Sequence, residues 1–192
     1  MANKIRYGLK NLHIALLLED DSSGDATWDT PLSIPGAIGF KSDPEGDSFT
    51  LYADDGAYFN VEINNGHTGE LETALIPRSV LADVMNLDVD ANGALSDNTD
   101  LFPKPFALMG EYAGDASGTR FVYYKCIPTR PAKDSKTKEK TITPATDTIK
   151  LTMVPASVAG VNRSYSDIER DDTNGTAYDS FFDSVYIPEP VA

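Results

Sequence analysis

At 192 residues, with 41% hydrophobic and 9% aromatic content, the chain is long enough for one domain with a proper core and too apolar for a disordered one. A formal charge of −14 and a pI near 4.4 argue against a protein that grips nucleic acid through its phosphates, which takes Lys and Arg. The single cysteine, Cys126, excludes an internal disulfide and a cysteine-rich metal site. Set mid-strand among aromatics, it reads as a buried structural thiol. Abundant Gly, Pro, Thr and Asp without long helical periodicity point to β structure.

In chain order, residues 1–10 form a short basic arm with Lys4, Arg6 and Lys10. The start is polar and charged, and the apolar run Leu12–Leu18 is too short to span a bilayer and contains His13. The expectation is therefore a chain without a signal peptide, made in a reducing cytosol. Leu12–Leu18 reads as a buried strand and Glu19–Asp29 as an acidic exposed loop ending near Trp28. Leu32–Ile34 suggests an edge element, Pro35-Gly36 a turn and Ala37–Lys41 a strand. Asp43–Asp47 has turn chemistry, Ser48–Ala53 strand pattern, and Asp54-Asp55-Gly56 a turn. The stretch Tyr58–Ile76 predicts a hairpin. Phe59, Val61 and Ile63 alternate with polar residues, Asn65–Gly69 supplies the turn, and Leu71, Thr73 and Leu75 alternate again. One face of that hairpin is apolar; the other carries Glu62, Glu70 and Glu72.

Pro77–Leu87 predicts a helix, with Val80, Leu81, Val84 and Met85 on one face. Asp88, Asp90, Asn92 and Gly93 resemble the start of a calcium loop. The twelfth position is Thr99 instead of Glu, however, and no exit helix follows, so an Asp/Asn/Gly turn explains the same letters. Phe106–Ala113 and Thr119–Ile127 predict a strand pair, the second apolar on both faces and hence central. Next comes a long exposed basic loop, 128–143, with Arg130, Lys133, Lys136, Lys138 and Lys140. It suits docking onto an acidic face of another copy; a nucleic-acid patch and a plain solvated loop are the other readings. Thr146–Val154 alternates as a strand. The C-terminal extension 155–192 is weakly patterned until Tyr178, Phe181, Phe182 and Val185, which predict a short amphipathic helix stopped by Pro188.

No catalytic constellation is legible. His13 and His67 have no paired acid or cysteine at metal-ligand spacing, His13 reading as packed or at an edge and His67 as solvated in its turn. There is no nucleophile elbow, phosphate-binding glycine loop or zinc-protease motif. The expectation is no catalytic, cofactor or metal site.

The chain also resembles the major tail proteins, or tail-tube proteins, of long-tailed, non-contractile bacteriophages (siphophages) of Gram-positive bacteria. The likeness is carried by Lys4–His13 (KIRYGLKNLH), Ile34-Pro35-Gly36, Asp43–Gly46 (DPEG), Tyr52–Asp55 (YADD), and Asn65-Gly66 with Gly69–Glu72 (GELE). It continues through Ala74–Pro77 (ALIP), Pro105–Leu108 (PFAL), Arg120–Tyr124 (RFVYY), Thr129–Pro131 (TRP), Thr137–Glu139 (TKE) and the tail Tyr178–Pro188. Nearly the whole length is covered in order; little of Pro155–Asp172 matches.

What the resemblance implies is a single tail-tube domain over residues 1–192. Its fold would be mainly β, two antiparallel sheets packed as a sandwich or barrel, with a flanking helix at about 77–87 and a short C-terminal helix. Six copies would close into a ring and rings would stack into a hollow tail, in the virion, assembled in the host bacterial cytoplasm. Partners would be the tape-measure protein and tail-tip or terminator proteins, with viral DNA passing through unbound and no membrane insertion. Glu62, Glu70 and Glu72 would then line the bore, in a ring carrying about −84 from six copies at −14. Lys4, Arg6, Lys10, Arg130, Lys133, Lys136, Lys138 and Lys140 would make inter-ring or inter-subunit contacts. The alternative is a monomeric β-sandwich binding module for carbohydrate or a cell surface.

The docking reading of the basic loop has a direct consequence. Changing Lys136, Lys138 and Lys140 together to Glu should hinder tube growth and leave the far-UV spectrum of the subunit unchanged. Normal tubes from that variant in electron micrographs would remove the loop from the contact.

Overall fold

A computed structural model describes residues 7–20, 24–114, 117–132 and 145–189. Alternating apolar residues dictate strands over most of that length, and the chain is mainly β. In order the elements are β1 (Leu9–Glu19), β2 (Thr27–Trp28), β3 (Leu32–Ser33), β4 (Ala37–Ala53), β5 (Gly56–Thr73), α1 (Arg78–Met85), β6 (Asp88–Val89) and β7 (Leu95–Ser96). There follow β8 (Phe106–Tyr112), β9 (Arg120–Pro128), β10 (Asp147–Val154), β11 (Ala156–Val158), β12 (Val161–Arg163), β13 (Tyr165–Ile168) and α2 (Gly175–Asp179).

One nine-stranded antiparallel sheet carries the fold, in the order β2-β1-β8-β9-β10-β5-β4, with β3 on β1 and β13 on β9. The central place expected for 119–127 is occupied by β9. Its first half pairs with β13 (Tyr123↔Tyr165) and its second with β10 (Cys126↔Met153). The sheet curls until its β4 end lies against β9, three strands away. Phe40 stacks on Phe121 at 5.6 Å and meets Tyr123 at 5.3 Å, while the Tyr123 hydroxyl donates to Ser42 Oγ at 2.8 Å. The expected two-layer packing is thus made by one sheet folding over its own core.

That core holds Leu12, Ile14, Leu71, Phe106, Leu108, Phe121, Ile149, Leu151 and Met153, closed by Val80, Val84 and Met85 of α1. Each such large side chain withdrawn from water stabilises by roughly 1.5–3 kcal/mol. The helix follows Pro77 and stops at Asn86, which takes the left-handed conformation (φ 52°) common just past a helix end. On the reverse face of β1, β8 and β9 lies a second core of Ala15, Ala107, Met109, Val122 and Tyr124, covered by the C-terminal segment through Tyr178, Phe181 and Val185. Cys126 is fully buried, and burial pushes its thiol pKa up.

Arg120 fastens that segment. Its guanidinium donates to the Tyr178 carbonyl oxygen, lies 3.8 Å from the Tyr178 ring centroid, and reaches Glu111 Oε2 at 3.2 Å. The stretch 155–173 is more ordered than its pattern suggested: β11 and β12 pair with each other, and β13 joins the main sheet.

Two expected turns are strand. Asp43–Asp47 runs inside β4, where Pro44 is tolerated because β4 is an edge strand. Asn65–Gly69 runs inside β5, an 18-residue strand. The hairpin is therefore β4–β5, and its turn is Asp54-Asp55, both with positive φ (51° and 64°), the signature of a type I′ turn.

The Asn-Gly letters serve a bulge instead. Glu45 pairs with Gly66 and Gly46 with Asn64, leaving Asn65 as the extra residue. Gly66 has φ 110°, and a Cβ there would stand 2.2 Å from the Met153 carbonyl oxygen. Gly66→Ala should accordingly lose about 1–3 kcal/mol of stability, read as a lower denaturant midpoint; an unshifted midpoint would mean that the backbone adjusts freely at this point.

Candidate functional site

Beyond the bulge the two strands leave the body of the protein as an arm, residues 46–64, exposed at every residue but the half-buried Thr50. Its register sorts the side chains. Asp47↔Ile63, Phe49↔Val61 and Leu51↔Phe59 share one face; Ser48↔Glu62 and Thr50↔Asn60 share the other. One face of the ribbon is therefore apolar and the reverse is polar. Nothing among the described residues covers the apolar face: Phe49 is 56% exposed, Phe59 53% and Ile63 50%. Tyr52 and Tyr58, also exposed, lie closer to the tip, beyond a second register shift between Leu51 and Tyr52.

The bulge decides which face is which. A strand's side chains alternate, so one extra residue on one strand transfers everything beyond it to the opposite face. At the root, Phe40, Leu71 and Thr73 point to the core, whereas Lys41, Asp43, Glu45, Glu70 and Glu72 lie on the outer face. β4 carries the outer face straight on into Asp47, Phe49 and Leu51. Polarity thus inverts along the ribbon: the face that is wet at the root is apolar on the arm.

This places the three glutamates differently from the expectation. Glu70 and Glu72 share the outer face of the root; Glu62, across the bulge, is on the other side of the ribbon. Nor is the outer face without cations. Lys41 is the cross-strand partner of Glu70 and lies 2.5 Å from Asp43, whose carboxylate raises the lysine pKa, and Lys150 Nζ stands 4.0 Å from Glu70. Thr146 Oγ1 donates to Glu72 at 2.6 Å. The face remains acidic on balance, with four carboxylates against two ammoniums.

Of the expected contact cations, Lys4, Arg6, Lys133, Lys136, Lys138 and Lys140 lie outside the described residues. The two others are engaged within the subunit. Lys10 belongs to β1 and pairs with Glu111 at 2.9 Å. Arg130 holds Asp97 at 2.7 Å and donates to the carbonyl oxygens of Asn98 and Leu101 at 3.1 and 3.0 Å.

The suspected calcium letters form the small β6–β7 hairpin. Asp90 Oδ1 accepts from the backbone of Ala94 and Asn92 at 2.7 and 2.8 Å, which keeps its pKa below the usual range. No group of His, Cys, Asp and Glu suited to a metal occurs among the described residues, and no helix there is long and apolar enough to cross a membrane. His13 stacks on Phe182 at 4.7 Å. His67, expected in a solvated turn, instead sits half-buried in β5 against Tyr123 and Tyr165.

Sequence reading missed the unpartnered apolar face. Phe59, Val61 and Ile63 are legible in the sequence as an alternating apolar row, but not as a row left uncovered. The signal that could have corrected it is the Pro-Glu-Gly of 44–46 opposite the Asn-Gly of 65–66, two breaks at matching distance from the Asp54-Asp55 turn.

No family model matches the chain, and no curated protein does. Among solved structures it is similar to the tube-terminating cap of the anti-feeding prophage, with a TM-score of 0.50 and 13% identity over 88% of this chain and 95% of that one. A chain of the six-fold symmetrised baseplate of the same particle aligns with a TM-score of 0.47 and 9% identity, over 88% and 97%. At these identities the likeness is one of fold.

Glu111 provides a pH test of how the body holds together. Burial raises its pKa, but hydrogen bonds from Lys10 and Asn11 and the charges of Lys10 and Arg120 outweigh that and leave it lowered. A lowered folded value contributes stability that is present above the unfolded value, about 4.3, and lost as pH falls through the folded one. Glu111→Gln should therefore reduce stability near neutrality and flatten the acid limb of the melting-temperature profile; a limb parallel to that of the unaltered chain would remove Glu111 from the account.

Proposed function

We propose that the chain is a non-enzymatic structural subunit of a phage-type tail tube, assembling as hexameric rings stacked into a hollow conduit. The observation that carries this reading is the arm, a long amphipathic ribbon with its apolar face in water. A lone subunit gains nothing from Phe49, Leu51, Phe59, Val61 and Ile63 in that position, whereas a subunit covered by its neighbour gains roughly 1.5–3 kcal/mol for each side chain fully buried. The fold it shares with a tube-terminating cap supports the same reading.

In such a tube the acidic outer face at the root, with Glu70 and Glu72, faces the bore. A hydrated, net negative wall repels the phosphate backbone of passing DNA and leaves it unbound, the reverse of a phosphate-gripping surface. Glu62 belongs to the wet side of the arm once the apolar side is covered. Tape-measure and tail-tip or terminator proteins are the expected partners of the bore and the ends, and the virion tail the expected location. A carbohydrate- or surface-binding module would need a concave site with convergent polar groups, whereas the arm is a narrow projecting ribbon.

Electron microscopy of the concentrated protein should show rings or hollow tubes. The double variant Phe49→Ser, Val61→Ser should melt as the unaltered chain does, since both positions are exposed in the free subunit, and should form no tubes. Tubes of normal length from that variant would refute the arm's role, and a chain that stays monomeric at every concentration would refute the tube.

A further inference from the structure

The arm leaves the body at a point where a histidine is packed. His67 is the cross-strand partner of Pro44 on one side and of Met153 on the other, immediately before the bulge at Asn65-Gly66. Its ring lies edge-on to Tyr123 at 5.5 Å and tilted to Tyr165 at 6.5 Å. Its Nδ1 is shut off from solvent and makes no hydrogen bond among the described residues. Every residue from Ala53 to Asn65 is exposed, while Gly66 is buried. His67 is therefore the first side chain on the body's side of the boundary.

We propose that His67 is a protonation-sensitive pivot: the neutral ring seats the arm's root against β9 and β13, and protonation unseats it. The chemistry of the pocket argues for this. An imidazolium carries a proton on both nitrogens, and a buried N–H without an acceptor is unfavourable. The groups facing the ring from packed elements are the phenols of Tyr123 on β9 and Tyr165 on β13, the Met153 thioether on β10, and Pro44 and Ser42 on β4. The Tyr123 hydroxyl is already directed at Ser42, and Asp167 is the carboxylate beside Tyr165. The two phenol rings offer at most a cation–π contact, which does not satisfy an N–H.

Burial lowers the His67 pKa from its ordinary value near 6.5. A histidine with a lowered folded value stabilises the closed root above the unfolded value, and that contribution is lost as pH falls through the folded one. Opening at this point is local, because the bulge already breaks the β4–β5 ladder there and the arm beyond it packs on nothing among the described residues.

Hydrogen exchange of the full chain, corrected for intrinsic rates, tests the pivot between pH 7.5 and 4.5. The backbone amides of residues 64–68 should open more readily as pH falls from about 6.5 toward the folded His67 value, by up to about tenfold per pH unit as expected for one proton taken up on opening, and no further below it. His67→Phe, which keeps a ring and cannot titrate, should flatten that dependence while amides of β8 and β9 stay unchanged. Equal pH dependence in both proteins would overturn the proposal. Should the Phe variant fail to fold, the imidazole resonances of His67 in the unaltered chain decide. The loss of protection at 64–68 must level off at the pH where those resonances titrate, and protection that kept falling well below that pH, or never changed above it, would also overturn it. The readout is that of a single subunit, so it stands apart from whether rings form.

Discussion

A one-residue mismatch between β4 and β5 governs the rest of the architecture. Without Asn65 as an extra residue, Phe59, Val61 and Ile63 would continue the inward row of Leu71 and Thr73, and the ribbon would read as one amphipathic hairpin with a buried side. With it, the apolar row emerges on the side that is polar at the root. The backbone accepts the mismatch because a glycine flanks it on each strand, Gly46 on β4 and Gly66 on β5: a Cβ at Gly46 would lie 2.4 Å from the Ile63 carbonyl oxygen. Two glycines thus convert a hairpin that would end in the subunit's own core into one that reaches beyond it.

The body to which this ribbon is attached is unusually well tied. Its sheet closes over one core with α1 as the lid, and the C-terminal segment covers the other. Arg120 joins the two systems by touching Glu111 on β8, the Tyr178 carbonyl and the Tyr178 and Phe182 rings. Glu111 in turn holds Lys10 and Asn11 of β1. A buried carboxylate is tolerable only with such a complete set of donors. The consequence is a division of labour between a tied body and an extended arm that packs on nothing else among the described residues.

Much of the body could be read from the letters. The central strand at Arg120–Pro128, its neighbours β8 and β10, and the α1 face of Val80, Val84 and Met85 follow from periodicity alone, because burial on both sides of β9 and on one face of α1 leaves an unambiguous pattern. The ribbon could not be read so directly. Pro-Glu-Gly and Asn-Gly signal a reversal or a bulge with the same residues, since both need backbone that other residues resist. Only the partner strand distinguishes the two. Short strands such as β11 and β12 lacked enough alternation to register. The grouping of Glu62 with Glu70 and Glu72 failed for the same reason as the turn: parity along a strand is lost at an insertion that sequence does not mark.

The tip of the ribbon has its own consequence. Asp54 and Asp55 both occupy left-handed backbone, a conformation that glycine takes without cost and aspartate tolerates at some cost in stability. The chain thereby keeps two negative charges at the leading end of a greasy lever. A partner that covered that lever would have to offer a hydrophobic slot ending in water or in cations, because two carboxylates driven into an apolar floor would cancel the gain from the side chains behind them.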